Sequence, residues 1–185
     1  MKKLIMMLLA LTMLLTACRS SSPAATAPDA TRPGSTTQPA QPDGRSLEEL
    51  IDAIYAEHPM ELMLVSIPVD LTDEWAVKSY TGLDSIGDVQ EAVASEPSMS
   101  SQAYSLVLVR LKAGADAQAV ARQMRDGINQ RKWVCVEADD LKISGKGNLL
   151  MLVMIDSVYA QDGATAQSLT KAFEAVCGKL DFTID

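Results

Sequence analysis

The chain runs to 185 residues with 16 lysines and arginines against 24 aspartates and glutamates, a formal net charge of −8, and one histidine. That balance disfavours nucleic acid and anionic lipid surfaces as general partners. With His58 as the lone imidazole, zinc sites built on several histidines and two-histidine mechanisms are excluded.

The first predicted element is an address. Met1-Lys2-Lys3 is a short basic start, and Leu4 to Leu15 is an apolar run of about a dozen residues, short of the roughly 20 that a bilayer-spanning helix needs. Residues 1–17 therefore read as a signal peptide. Leu15-Thr16-Ala17-Cys18 resembles the bacterial lipobox at all four positions. The resemblance implies cleavage before Cys18 and acylation of its sulfur, and two or three acyl chains make a stable membrane anchor. The expected location is the extracytoplasmic face of the cell membrane. Loss of Lys2 and Lys3 with the signal takes the formal charge from −8 to about −10.

From Arg19 to Arg45 the chain is nearly all Ser, Thr, Ala, Pro, Gln and Gly, with no aliphatic side chain larger than alanine. So little apolar surface cannot offset the entropy of ordering. Residues 18–45 are expected as the lipidated cysteine and a disordered tether, and a flexible coil of about 27 residues spans on the order of 30 Å. Residues 46–185 then make one domain, large enough for a core of its own.

In that domain Ser46-Leu47-Glu48-Glu49 is a capping box, and Leu47, Leu50, Ile51 and Ile54 follow at helical spacing to an end near His58-Pro59. Glu61 to Val69 reads as a strand ended by proline. Thr72 caps a short helix through Trp75 and Val77, which Gly82 terminates. Asp88–Glu96 and Ala103–Lys112 read as a hairpin about the turn-like Pro97–Gln102. Ala117, Val120, Ala121, Met124 and Ile128 form the apolar stripe of a surface helix. A glycine turn at Ser144–Asn148, with Gly145 or Gly147 at positive φ, leads into a central strand from Leu149 to Ile155. Asp162 or Thr165 caps a last helix that turns Ala166, Leu169, Phe173, Val176 and Cys177 inward. Setting aside the first and last helices leaves the split βαββαβ pattern. The predicted fold is α+β: a four-stranded ferredoxin-like sheet with helices packed on one face, the other face left to the additional N- and C-terminal helices or to a partner.

The tract from "YSLVLVRLKAGADAQAVARQMRDGINQR" to "GKGNLLMLVMID" resembles the domain of small tethered lipoproteins of unknown function, found mainly in Gram-positive anaerobes. Members share the tethered layout, a strand running into a helix rich in Arg and Lys, and a glycine turn before an apolar strand. The resemblance implies an envelope location. It brings no activity and no site residue.

Candidates for chemistry are few. A cysteine nucleophile would pair His58 with Cys135 or Cys177, but His58 beside Pro59 reads first as a helix end. Cys135 and Cys177 either close a disulfide loop of about 42 residues, contributing about 4 kcal/mol on chain-entropy grounds, or remain two buried thiols. "SGKGN" lacks both the Walker spacing and the strand-loop-helix order. Met60/Met63 and Met151/Met154, three apart on strands, point to opposite faces and read as core filling in place of copper ligation. Asp73/Glu74 and Asp139/Asp140 lack a calcium loop and read as caps and turns. No metal or cofactor is expected.

Six cations crowd together in sequence: Arg110, Lys112, Arg122, Arg125, Arg131 and Lys132. Converging in space, they would receive an anionic wall polymer, a lipid headgroup or an acidic protein surface. Solvated helix faces are the plainer reading. Trp75 and Trp133 sit near helix boundaries as core plugs or interface anchors. These features point to a membrane-anchored, extracytoplasmic binding module without catalysis, its partner an envelope protein or a wall polymer. A wall-acting hydrolase and a transporter's solute-binding accessory are the alternatives.

Overall fold

The computed structural model describes residues 44–185. The signal peptide, Cys18 and the tether up to residue 43 lie outside the described residues. The elements are α1 (Leu47–Glu57), β1 (Leu64–Pro68), α2 (Glu74–Thr81), β2 (Val89–Pro97), β3 (Tyr104–Leu111), α3 (Ala117–Gly127), β4 (Asp140–Lys146), β5 (Leu149–Ile155), a 3₁₀ turn (Ser157–Asp162), α4 (Ala166–Cys177) and β6 (Phe182–Ile184).

Helix α1 begins at the predicted capping box: Ser46 Oγ accepts from the Glu49 N–H (3.1 Å), and Glu49 Oε2 accepts from the Ser46 N–H (2.7 Å). Thr165 and Ser168 open α4 in the same way. At α2 the cap is Asp73 and not Thr72. Asp73 Oδ1 accepts from the Trp75 and Ala76 N–H groups, while the Thr72 hydroxyl donates to Asp70. A carboxylate there bonds the orphan N–H groups and also meets the positive end of the helix dipole.

The strands form one six-stranded sheet in the order β1-β2-β3-β5-β4-β6, with every neighbouring pair antiparallel. The α+β class is as expected, but the sheet has six strands where four were expected. β1 and β2, assigned to a parallel crossover, are direct antiparallel neighbours with Ser66 opposite Ser95. β4 is an additional strand, of which only Ser144–Lys146 falls in the expected glycine turn; it forms a hairpin with β5, so β3 and β5 pair antiparallel with Val107 opposite Leu152.

Topology also explains the layers. β3-α3-β4 and β5-α4-β6 each join two strands with one strand between them, and both steps run toward β6. Because β3 and β5 are antiparallel, crossovers of one hand set α3 and α4 on opposite faces. That is where they lie. Val107, Val109, Leu150 and Leu152 pack with α2 and α3, while Leu106, Leu108, Met151 and Val153 pack with α1 and α4. The additional terminal helices thus take the second face. With both faces covered, every residue of β3 and β5 is buried, and Met151 and Met154 fill opposite sides. Among the described residues no helix is long and apolar enough to cross a membrane.

Candidate functional site

The six cations do not form one patch. Arg110 is 3% exposed, its Nε donating to Glu91 (2.7 Å) and its Nη2 to the Arg45 carbonyl (3.1 Å). Lys112 donates to the Gly87 carbonyl (2.8 Å), Arg122 to Gln118 on its own helix (3.2 Å), and Arg125 to the Asp185 carbonyl (2.9 Å). Arg131 and Lys132 line a hollow together.

That hollow, of about 390 Å³, lies between α2 and the segment after α3. One wall is Trp75, Lys78 and Ser79, spaced i, i+3, i+4 and so on one face of α2. The other is Gly127, Asn129 and Arg131, with Lys132 behind them. Backbone contact sets the spacing of the walls. Gly82 ends α2 at φ +77° and stands so close to α3 that a Cβ on Gly127 would lie 2.0 Å from the Gly82 carbonyl oxygen. A Cβ on Gly82 would lie 2.6 Å from the Met124 carbonyl oxygen.

A second fastening holds the far wall to the sheet. The Lys132 side chain is 10% exposed and pairs with Glu96 of β2, which is 14% exposed and also accepts from the Ser105 hydroxyl (2.7 Å). Lys132 Nζ donates to the Ser79 carbonyl (3.2 Å) and sits 4.9 Å and 5.3 Å from the ring centres of Tyr80 and Trp133, within cation–π range. Burial pulls the Lys132 pKa below the ordinary lysine range, against the opposing pull of Glu96. Lys132 is therefore a clamp, and its charge is committed.

Trp133 packs against the core as a plug. Trp75, in contrast, is 72% exposed. Beside it, Lys78 pairs with Asp84 (2.7 Å) and Arg131 with Glu137, both at the surface. Exposed pairs of this kind contribute only about 0–1 kcal/mol, so both cations can exchange partners. Lys78 also lines two neighbouring hollows whose walls carry Glu74, Asp84 and Asp126. The charge is cationic on the Trp75 side and mixed beyond it. Sequence reading passed over Lys78. Its signal was the Trp75-x-x-Lys78-Ser79 spacing, which falls off the buried stripe of Ala76, Val77 and Thr81.

Other sequence candidates have structural employment. His58 Nε2 lies 3.1 Å from Ser168 Oγ, a pairing that sequence gave no hint of. Ser168 Oγ is already engaged in the α4 cap, accepting from the Thr165 N–H (3.0 Å) and in reach of its carbonyl (2.9 Å). A nucleophile needs an available hydroxyl and a base oriented by a third group. The contact instead pins the end of α1 to the start of α4. Asp139 accepts from Ser157 and Asp140 from the Ala166 N–H, the turn and cap roles expected of them. Among the described residues no group of three His, Cys, Asp or Glu side chains is placed to hold a metal ion.

The two cysteines are not both buried as one alternative expects: Cys135 is exposed at φ +61° in the loop after Trp133, and Cys177 is half-buried on α4. Titration of the native protein with a thiol-specific reagent is expected to modify Cys135 in a fast phase and Cys177 in a slow one. Absence of both phases until a reductant is added would show the disulfide. No protein-family profile, curated protein or solved structure matches the chain.

Proposed function

We propose that the chain is a bacterial lipoprotein held by an acylated Cys18 at the outer face of the cell membrane, reaching into the envelope through residues 19–45. Its domain is a non-catalytic binding module, and its binding face is the groove between α2 and the segment after α3. Trp75 carries the binding reading. An indole left in water forgoes about 2–3 kcal/mol of burial, and Trp and Arg are the side chains that most often dominate binding energy. Here both stand in one groove, with Lys78 between the indole and the acidic hollows beyond.

The lipobox, the tether composition and the likeness to tethered envelope lipoproteins support the location. The partner class is an acidic wall polymer or the acidic surface of an envelope protein. A hydrolase has less support, since the Ser168 hydroxyl serves a helix cap. A solute-binding accessory has less support too, since a single sheet clothed by two helices on each face lacks the cleft between lobes that such proteins close on solutes.

Replacing the anchor tests the location. Wild-type protein is expected in the membrane fraction and Cys18→Ser in the soluble extracytoplasmic fraction; a variant that stays with the membrane overturns the anchor. Amine-reactive cross-linking in intact cells, read by mass spectrometry, tests the face. Adducts at Lys78 are expected, and adducts confined to Lys171 and Lys179, at the α4 end of the other face, would move the site off the groove.

A further inference from the structure

The groove's own chemistry narrows the ligand, on the footing of the binding role above. We infer that it takes a glycan chain bearing carboxylates, with a sugar ring laid on the Trp75 indole and its acidic group held by Arg131 and Lys78. Three observations converge on that class.

The first is the company Trp75 keeps. The centre of a protein–protein interface surrounds its aromatic anchor with further apolar surface. Around Trp75 the walls are Lys78, Ser79, Asn129 and Arg131, a single aromatic platform in a polar frame. A pyranose ring matches that frame, because its C–H face is apolar and its rim is all hydroxyls and acidic substituents. The second is charge. In a chain of net charge −8, the side chains lining this hollow include no carboxylate, and beside the committed Lys132 they include two exposed cations, Lys78 and Arg131. Arg131 and Lys78 hold their carboxylate partners, Glu137 and Asp84, only at the surface, so a ligand carboxylate can displace either; the Lys78 ammonium also donates to the Gly82 carbonyl (3.1 Å), which leaves two of its three hydrogens for the exchange. Asn129 uses its Oδ1 on the Arg131 N–H (2.9 Å), which leaves its NH₂ donors for a sugar oxygen.

The third is preorganisation. The Gly82–Gly127 backbone contact and the Lys132–Glu96 clamp fix the backbone of both walls before anything binds, so the ordering entropy left to oppose association is that of the exposed Trp75, Lys78 and Arg131 side chains. The volume of about 390 Å³ falls within the range of small-ligand sites, enough for a short run of sugars with the chain continuing out of the open ends.

The test uses the full chain in mild detergent, titrated with soluble glycan strands of alternating N-acetylglucosamine and N-acetylmuramic acid and followed by calorimetry and tryptophan fluorescence. Two control probes are neutral chitotetraose, a ring without an acid, and poly-L-glutamate, an acid without a ring. The glycan strands are expected to bind and to change the Trp75 emission, with both controls at least ten-fold weaker. Trp75→Ala is expected to lose at least ten-fold in affinity, Trp75→Phe to keep most of it, and Arg131→Gln to lose about three- to ten-fold. Equal binding of poly-L-glutamate overturns the role of the ring, and equal binding of chitotetraose overturns the role of the acid. A folded chain that binds no glycan strand overturns the glycan assignment. If that same chain is still cross-linked at Lys78 to an envelope protein, the binding role stands with a protein partner in place of the glycan.

Discussion

Glu96→Ala is expected to destabilise the domain by about 3–5 kcal/mol at pH 7, the usual consequence of leaving one member of a buried ion pair behind. Glu96 faces Lys132 in a setting where the two side chains are 14% and 10% exposed, and it also takes the hydrogen of the fully buried Ser105 hydroxyl. Removing it strands an ammonium between Tyr80 and Trp133 with only the Ser79 carbonyl as acceptor. The pH dependence follows from the direction of the Lys132 shift. Burial sets its folded pKa below the unfolded value, so between the two the unfolded chain binds more protons and stability rises with pH. Glu96 opposes that lowering; without it the folded pKa drops further and the window widens downward. The deficit of Glu96→Ala against wild type, read from urea unfolding, is therefore expected to shrink as pH rises from 7 toward about 10. Burial raises the Tyr55, Tyr80 and Tyr104 hydroxyls above the ordinary tyrosine value, so in the folded state they stay protonated across that range, and subtracting the wild type removes most of what the unfolded chain's tyrosines contribute near its upper end. A double change, Glu96→Leu with Lys132→Met, is expected to recover most of the lost stability, because apolar side chains of similar size can replace a buried pair. A deficit below about 1 kcal/mol, or one that does not change with pH, would remove the clamp from the account of the groove.

The parts of this fold that sequence made legible are those whose signal is local. Ser46 and Glu49 announce α1 within four residues, Gly82 its own left-handed turn, and β5 its central place through an unbroken apolar run. The two missed strands depend on each other. β4 alternates Leu141, Ile143 and Gly145 toward α3, and Gly145 lacks a side chain because the Phe182 ring of β6 occupies that space; a Cβ there would stand 2.4 Å from the ring. The glycine that made the segment look like a turn is a strand residue shaped by a partner 37 positions later, while the actual turn glycine is Gly147 at φ +58°. The site divides the same way. Arg131 and Lys132 were visible as charges, but that one is exposed and the other clamped depends on Glu96, which sequence had no means of placing opposite them. Lys78 entered the site only because Gly82 and Gly127 bring two helices into backbone contact.

That contact makes Gly127→Ala the most informative change to the groove itself. On the bare helix, alanine in place of glycine would add up to about 1 kcal/mol of stability through propensity alone. Here the new methyl would sit 2.0 Å from the Gly82 carbonyl oxygen and 2.9 Å from Lys78 Nζ. The lysine end can swing aside, but the carbonyl belongs to a residue at φ +77° that closes α2, and no rotamer moves it. Relief requires α2 and α3 to separate, which opens the interface around Val77, Val120 and Met124. Overpacking typically costs about 1–3 kcal/mol, and a backbone neighbour puts this case at the upper end. A net loss of about 2–3 kcal/mol is expected, seen as a fall of about 1–2 M in the urea midpoint. Gly87→Ala serves as the control: its nearest atom is the Ser85 hydroxyl oxygen at 3.7 Å and its φ is not left-handed, so it is expected to stay within about 0.5 kcal/mol of wild type. The groove should register the change independently of stability. Separating the helices moves the Trp75–Lys78 wall from the Asn129–Arg131 wall, so folded Gly127→Ala protein is expected to lose glycan affinity although the substituted residue has no side chain to offer a ligand. A variant as stable as wild type would mean that the two helices yield at that contact, and a stable variant with unchanged glycan binding would mean that the wall spacing does not set recognition.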